Sequence, residues 1–315
     1  MQNLESNVNS IKTHFGKKQL ALLSDDDVTE LMLNSDGSLW VERFGKPMAV
    51  ESSMTPTQAM LLMKALAGYH QISLTPDTPI LECECPIDGS RFEGLIPPIT
   101  AAPTFALRKK ALRVFSLQEY VDAGMLSLAQ YDILKRAIIA RKNILIVGGT
   151  GSGKTTFANA LIHQMVCSCG DDRIIIIEDT NEIQCPAPNA VILRSNATTP
   201  ISQLLRATLR LRPDRILVGE VRGGEALSLL KAWNTGHDGG LATIHANSAK
   251  LGLLRLEDCI AEVSQHINRN LIAQTVNLVV FIEKTLEGRQ IKEIIQVNDY
   301  RDGHYITQPS RLHDM

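Results

Sequence analysis

At 315 residues, with 44% hydrophobic and 21% charged side chains, the chain is long enough for two domains and apolar enough for a core in each. No apolar run reaches the roughly 18 to 20 residues of a membrane span, and the first ten residues lack the basic start and apolar stretch of a secretory signal, so a cytoplasmic address is expected. The net charge of −2 divides into 7 Lys+Arg against 13 Asp+Glu over residues 1–105 and 25 against 21 beyond them; neither part is basic enough to announce nucleic-acid binding, and direct DNA contact stays open.

In chain order, residues 28–43 (VTELMLNSDGSLWVER) alternate apolar and polar on both sides of Asp36-Gly37, which predicts a β-hairpin. Over residues 54–68, Met60, Leu61, Met63, Leu66 and Ala67 follow a helical spacing. A strand-rich stretch over 80–97 is punctuated by Asp88-Gly89 and closed by Pro97-Pro98, completing an α+β N-terminal domain over residues 1–105. Arg108, Lys109, Lys110 and Arg113 then make a basic segment, and Ser116-Leu117-Gln118-Glu119 is a capping-box helix start; a linker is expected over 106–125. From residue 126 to 315, helical patterns alternate with short apolar runs at 144–147, 173–177, 190–193, 215–218 and 241–245. Such runs suit strands covered on both faces, so a mainly parallel, three-layer α/β domain is expected. A helical region to about residue 276, a strand over 277–283 and a hairpin around Arg301-Asp302-Gly303 close the chain.

The run GGTGSGKT at 148–155 lies between one of those strands and a helix-forming stretch. This is the setting of a phosphate-binding loop: backbone N–H groups of Gly148, Gly149, Thr150, Gly151, Ser152 and Gly153 converge on phosphate oxygens, Lys154 reaches the β- and γ-phosphates, and Thr155, followed by Thr156, offers a hydroxyl to Mg²⁺. The positive end of the following helix adds to the anion site. The loop marks a nucleoside triphosphate machine, with ATP and Mg²⁺ as its cofactors.

Such a machine needs acids at neighbouring strand ends. Glu178 and Asp179 directly follow Ile174-Ile175-Ile176-Ile177, where a carboxylate either caps the next element or does chemistry. Glu220 ends Ile216-Leu217-Val218-Gly219-Glu220, whereas most phosphate-loop proteins place an Asp directly after the four apolar residues. His245 closes Leu241-Ala242-Thr243-Ile244-His245, with Leu241, Thr243 and His245 on one face; a strand histidine is either structural or part of the site. His237 and His245 lack a further ligand set with zinc spacing, and the six cysteines, including two C-x-C pairs, make neither a zinc ribbon nor a disulfide framework.

GGTGSGKTT (148–156), IIIIEDTNEI (174–183), LRPDRILVGEVRG (211–223) and TGHDGGLATIHANSA (235–249), in this order, resemble the Walker A, Asp, Walker B and His boxes of the secretion ATPase superfamily, in which Gly-Glu is the usual Walker B ending. Residues 28–43, 88–98 and 105–127 are similar to the small conjugal-transfer ATPases of its type IV secretion branch, and the tetracysteine module of the type II branch does not occur in the sequence.

The resemblance implies a RecA-like ATPase domain and a homohexameric ring. It also implies peripheral attachment at the inner membrane, among type IV secretion components that include other secretion ATPases. It further implies phosphate and Mg²⁺ binding by Lys154 and Thr155, a general base at Glu178, water and metal positioning by Glu220, and γ-phosphate contact by His245. Arg91 and Arg108 would close over the nucleotide from the N-terminal domain, with Arg206, Arg210 and Arg212 as further cations. A DNA-translocating RecA-like hexameric motor is the alternative. A GTP switch is disfavoured because the sequence contains no N-K-x-D run.

Overall fold

Two stretches of different periodicity fold as two units, Met1–Leu112 and Arg113–Met315, in a computed structural model that describes residues 2–43, 47–109, 113–196, 198–285 and 288–310. The first unit contains α1 (Gln2–Phe15), α2 (Lys17–Ser24), β1 (Val28–Leu33), β2 (Ser38–Arg43), β3 (Ala49–Ser53), α3 (Pro56–His70), β4 (Ile80–Glu84), β5 (Arg91–Leu95) and β6 (Thr104–Arg108). Its antiparallel sheet has the order β3-β2-β1-β6-β5-β4. Alternation along the strands sends Leu31, Leu39, Phe92 and Leu107 into one core with Ile11, Phe15, Leu62, Met63 and Leu66 of the helices. The hairpin turn is held by Asp36, whose Oδ1 accepts from Ser38 N at 2.8 Å, and α3 starts at the Thr55 cap with Pro56 in its first turn.

Four elements of this unit, α1, α2, β3 and β6, have no counterpart in the sequence reading. The linker expected from residue 106 also starts differently. Ala106, Leu107 and Arg108 finish β6, where Leu107 pairs with Leu31 and Phe92, and Lys109 Nζ donates to Asp25 O at 2.6 Å. Lys110 lies outside the described residues.

The second unit comprises α4 (Leu117–Asp122), α5 (Leu128–Ile139), β7 (Ile144–Gly148), α6 (Lys154–Ser168), β8 (Ile174–Glu178), β9 (Ala190–Arg194), α7 (Ile201–Thr208), β10 (Arg215–Val221), α8 (Glu225–Trp233), β11 (Leu241–His245), α9 (Ala249–Ala261), α10 (Arg269–Thr275), β12 (Leu278–Thr285), β13 (Gly288–Arg301) and β14 (His304–Pro309). Capping boxes at Ser116 and Ser127 open α4 and α5. The sheet order is β14-β13-β12-β7-β11-β10-β8-β9, parallel from β12 to β9 and antiparallel at β13 and β14. Ile144, Ile146, Ile174, Ile176 and Leu217 pack on one face against Ile133, Phe157 and Leu161. Leu145, Val147, Ile216, Val218 and Ile244 pack on the other against Leu229, Trp233, Leu253 and Ile272. Burial on both faces is why these strands read as unbroken apolar runs. All six cysteines of the chain are free, and burial pushes the Cys83 and Cys85 thiols up to about 12.

At the N-terminal edge of this sheet Arg215 is 0% exposed. Its Nε donates to Asp172 Oδ2 at 2.6 Å, Nη2 to Ile138 O at 3.0 Å and Nη1 to Gly239 O at 3.2 Å, while Arg141 pairs with the other Asp172 oxygen. One guanidinium thus ties the end of α5 to the approaches of β8 and β11. Truncating it leaves a largely buried carboxylate short of a partner. Arg215→Ala is expected to cost about 3–5 kcal/mol in equilibrium urea unfolding of the native chain; a loss under about 1 kcal/mol would show that the three acceptors find other partners.

Candidate functional site

The parallel register decides what stands together at the opposite edge. Gly148 at the end of β7 is paired with His245 at the end of β11, and Val218 of β10 with Ile177 of β8. Residues 149–153, 179 and 246, which follow these strands, and Glu220 near the end of β10 therefore stand side by side.

The glycine-rich turn runs from Gly148 into α6, which begins at Lys154. Gly153 sits at φ +93°, a conformation open to glycine, and a Cβ there would meet Arg289 Cδ at 2.8 Å. Lys154 is 7% exposed, and its Nζ lies 3.1 Å from Gly148 O, 3.0 Å from Gly149 O and 3.1 Å from His245 Nδ1. Ser152 Oγ is buried without a hydrogen-bond partner among the described residues, and Thr155 and Thr156 are half-buried in the first turn of α6. A concave backbone, a buried cation and an unsatisfied hydroxyl fit a polyphosphate with its divalent cation.

Glu178 is 1% exposed, and its Oε2 accepts from Glu182 N and Ile183 N, each at 3.0 Å. The carboxylate organises the turn after β8, as the capping reading allows. Gly219 explains the displaced acid on β10: a Cβ at 219 would lie 3.0 Å from Glu178 Cβ. Absence of a side chain lets Glu178 fit between the strand ends. The β10–β11 register slips between Val218 and Val221, and Thr243 Oγ1 ties down Gly219 O at 2.7 Å. Glu220 thereby stands in the bulge of β10, off the regular ladder.

From Glu220 the charges form a chain. His245 Nε2 stands 2.7 Å from Glu220 Oε1, an ion-pair distance at an angle outside hydrogen-bond geometry. Arg222 donates to Glu220 Oε2 from Nε at 3.0 Å and from Nη2 at 2.6 Å, and its Nη1 pairs with Asp179 Oδ2. Asp179, Arg222, Glu220, His245 and Lys154 thus follow one another across β8, β10, β11 and the loop.

Burial, then the Lys154 ammonium, hold the His245 imidazole below its ordinary range against the opposing pull of Glu220. A neutral ring matches its two neighbours, since Nδ1 can accept from Lys154 while Nε2 carries the proton toward Glu220. Burial works against the Arg222 charge, but Glu220 and Asp179 outweigh it and raise its pKa.

Two arginines of this site escaped the sequence reading. Arg222 follows Glu220 by two residues, a local signal that a cation beside a carboxylate provides. Arg289 carried no local signal. It reaches the loop because β12 pairs with β7 and the β12–β13 hairpin overhangs it, bringing Nε and Nη2 to 3.4 Å from Gly151 O.

Other expected residues lie elsewhere. His237 Nδ1 is 3.1 Å from Pro213 O, before the start of β11, so it does not share a site with His245. Arg206, Arg210 and Arg212 are exposed on and after α7. Arg91 and Arg108 belong to the first unit, where they are cross-strand partners on β5 and β6, with Glu84 opposite Arg91 and Glu30 opposite Arg108. Burial raises the Glu30 carboxyl pKa while Arg108 opposes the shift.

Residues 15–298 match the family model described as "Type II/IV secretion system protein". The chain is 46% identical over 315 residues to a probable conjugal transfer protein TrbB of Sinorhizobium fredii, covering 99% of this chain and 97% of that protein. It is 30% identical to the type IV secretion system protein VirB11 of Bartonella henselae, covering 85% and 87%. The X-ray structure of the Legionella pneumophila ATPase DotB shares the fold at a TM-score of 0.61 and 20% identity, covering 86% of this chain and 77% of that one.

The close fit of Gly219 against Glu178 yields a direct test of the site. A methyl group at 219 pushes the two strand ends apart, so Gly219→Ala is expected to lower triphosphate turnover about tenfold to a hundredfold, at a stability cost of about 1–3 kcal/mol. Steady-state kinetics beside urea unfolding separate these effects; full turnover would show that the Glu178 position is immaterial.

Proposed function

Since the chain belongs to the Type II/IV secretion system protein family, we propose that it is a Mg²⁺-dependent ATPase energising a type IV secretion system in conjugal DNA transfer, pilus assembly or both. The observation that carries this reading is the unbroken series from Lys154 through His245 to Glu220 at the mouth of the glycine-rich turn. It brings a phosphate-binding cation, a neutral N–H donor and a carboxylate to one place, which hydrolysis of a phosphoanhydride requires.

In this mechanism Lys154 exchanges the carbonyls of Gly148 and Gly149 for the β- and γ-phosphate oxygens, and the loop N–H groups complete the cradle. Thr155 and Glu220 would hold Mg²⁺, which when bound neutralises charge on those oxygens. His245, kept neutral by its surroundings, contacts the γ-phosphate through an N–H. Glu220 is 17% exposed on its side chain and orients the attacking water. Glu178, expected as the general base, is far more buried, and its Oε2 is engaged by two backbone amides that fix it to the turn after β8. We therefore assign the water to Glu220 and the shape of the turn to Glu178.

Coupling to work rests on the likeness to secretion ATPases. The proposed assembly is a homohexamer of RecA-like domains, each with an N-terminal domain that closes on the nucleotide through Arg91 and Arg108 and opens after hydrolysis. Binding can drive such closure only if the arginine contacts differ between the two states. Among the described residues no helix is long and apolar enough to cross a membrane, which suits peripheral attachment to inner-membrane components and to the other ATPases of the system.

ATP turnover and mass in solution, measured side by side for the native chain and Lys154→Ala, test the reading. The expected outcome is an active hexamer for the native chain and, for the variant, the same mass with turnover reduced at least about a hundredfold. Retained turnover in the variant would place hydrolysis elsewhere. Turnover strongly stimulated by DNA and steeply lost with salt would favour the DNA-translocating motor.

A further inference from the structure

We propose that Arg222 is the positioning residue for Glu220: it spans the ends of β8 and β10 and decides which oxygen of the Glu220 carboxylate faces His245 and Lys154. The inference rests on the ATPase reading above and adds a residue to its machinery.

Three observations carry it. Nε and Nη2 of Arg222 converge on a single oxygen, Glu220 Oε2, at 3.0 and 2.6 Å, and the other oxygen is left 2.7 Å from His245 Nε2. A carboxylate gripped through one oxygen by two donors cannot rotate, so its second oxygen keeps one direction. The third guanidinium nitrogen pairs with Asp179 Oδ2, which lets two like charges stand at adjacent strand ends without driving each other apart. The arginine itself is built on a fixed base: Val221 pairs with Ile244 in the sheet, and Glu225 Oε1 accepts from Arg222 N at 2.7 Å and from Gly223 N at 3.0 Å.

Stability does not account for this arrangement. The Arg222 side chain is 51% exposed, and pairs so open to water contribute little to folding. Geometry accounts for it better. A planar guanidinium with five donors holds two carboxylates in fixed directions, whereas a lysine ammonium offers a point charge on a flexible stem. Unlike Lys154 and His245, Arg222 acts through Glu220 and is assigned no contact with the substrate.

The test uses the native full-length chain with Arg222→Gln, Arg222→Lys, Glu220→Gln and the double variant Glu220→Gln/Arg222→Gln. ATP affinity, kcat and thermal unfolding are measured for each. Expected for Arg222→Gln are a kcat lower by about tenfold to a hundredfold, ATP affinity within about threefold of native and an unchanged melting temperature. Arg222→Lys recovers part of the loss. In the Glu220→Gln background, removal of Arg222 costs nothing more, because its effect passes through the carboxylate already lost.

Native kcat in Arg222→Gln, losses that multiply in the double variant, or a fall in affinity as large as the fall in kcat would each overturn the assignment. A native chain without ATP turnover would remove the ATPase reading itself, and the assignment with it; an active native chain beside a fully active Arg222→Gln removes the assignment alone.

Discussion

The register of the parallel strands is the constraint on which the rest of the second unit depends. His245 is opposite Gly148 and Val218 is opposite Ile177, so the chain leaves β7, β8, β10 and β11 at the same edge of the sheet. A slip of one residue on any of these strands would exchange its faces and carry its terminal polar group away from the turn. Slippage is resisted from both sides, because alternate residues of each strand are locked into different helical layers. A polar site is thus mounted on a core that has little freedom to move.

Electrostatics makes the crowding of these groups tolerable. Asp179, Arg222, Glu220, His245 and Lys154 alternate so that each carboxylate touches a donor and each cation touches an acceptor. Local geometry then sets separate duties for two acids that sequence alone leaves equivalent. Glu178 is buried and holds the turn after β8, while Glu220 sits in the bulge that the slipped β10–β11 register makes near the end of β10. The Gly-Glu ending is therefore a steric consequence of seating Glu178 beside β10.

At the opposite edge the Arg215 network serves the same architecture by different means. It holds the approaches of β8 and β11 to the end of α5, and it takes its stabilising effect from complete burial with every guanidinium nitrogen engaged. Arg222 is half in water and contributes direction more than stability. Two arginines only seven residues apart along β10 and its exit thus perform unlike tasks, because one points into a dry cleft and the other across a wet rim.

Local pattern was enough for much of this protein. The β-hairpin at Asp36-Gly37, the cap at Ser116, the continuous apolar strands and the glycine-rich turn follow from periodicity, capping chemistry and backbone freedom, all of which act over a few residues. The candidate residues Lys154, Glu178, Glu220 and His245 were legible for the same reason, each sitting at a strand end or in the turn. Other features needed the folded chain. β3 and β6 are short runs that resemble linker, and only pairing with Trp40 or Leu31 makes them strands. Arg289 reaches Gly151 across 138 positions of sequence through a hairpin that no local signal could place there. Sequence by itself determined which residue types were available for phosphate chemistry. Tertiary structure alone decided which of two acids is buried, which histidine faces the turn and which arginine bridges the carboxylates, because burial and distance are properties of the packed sheet.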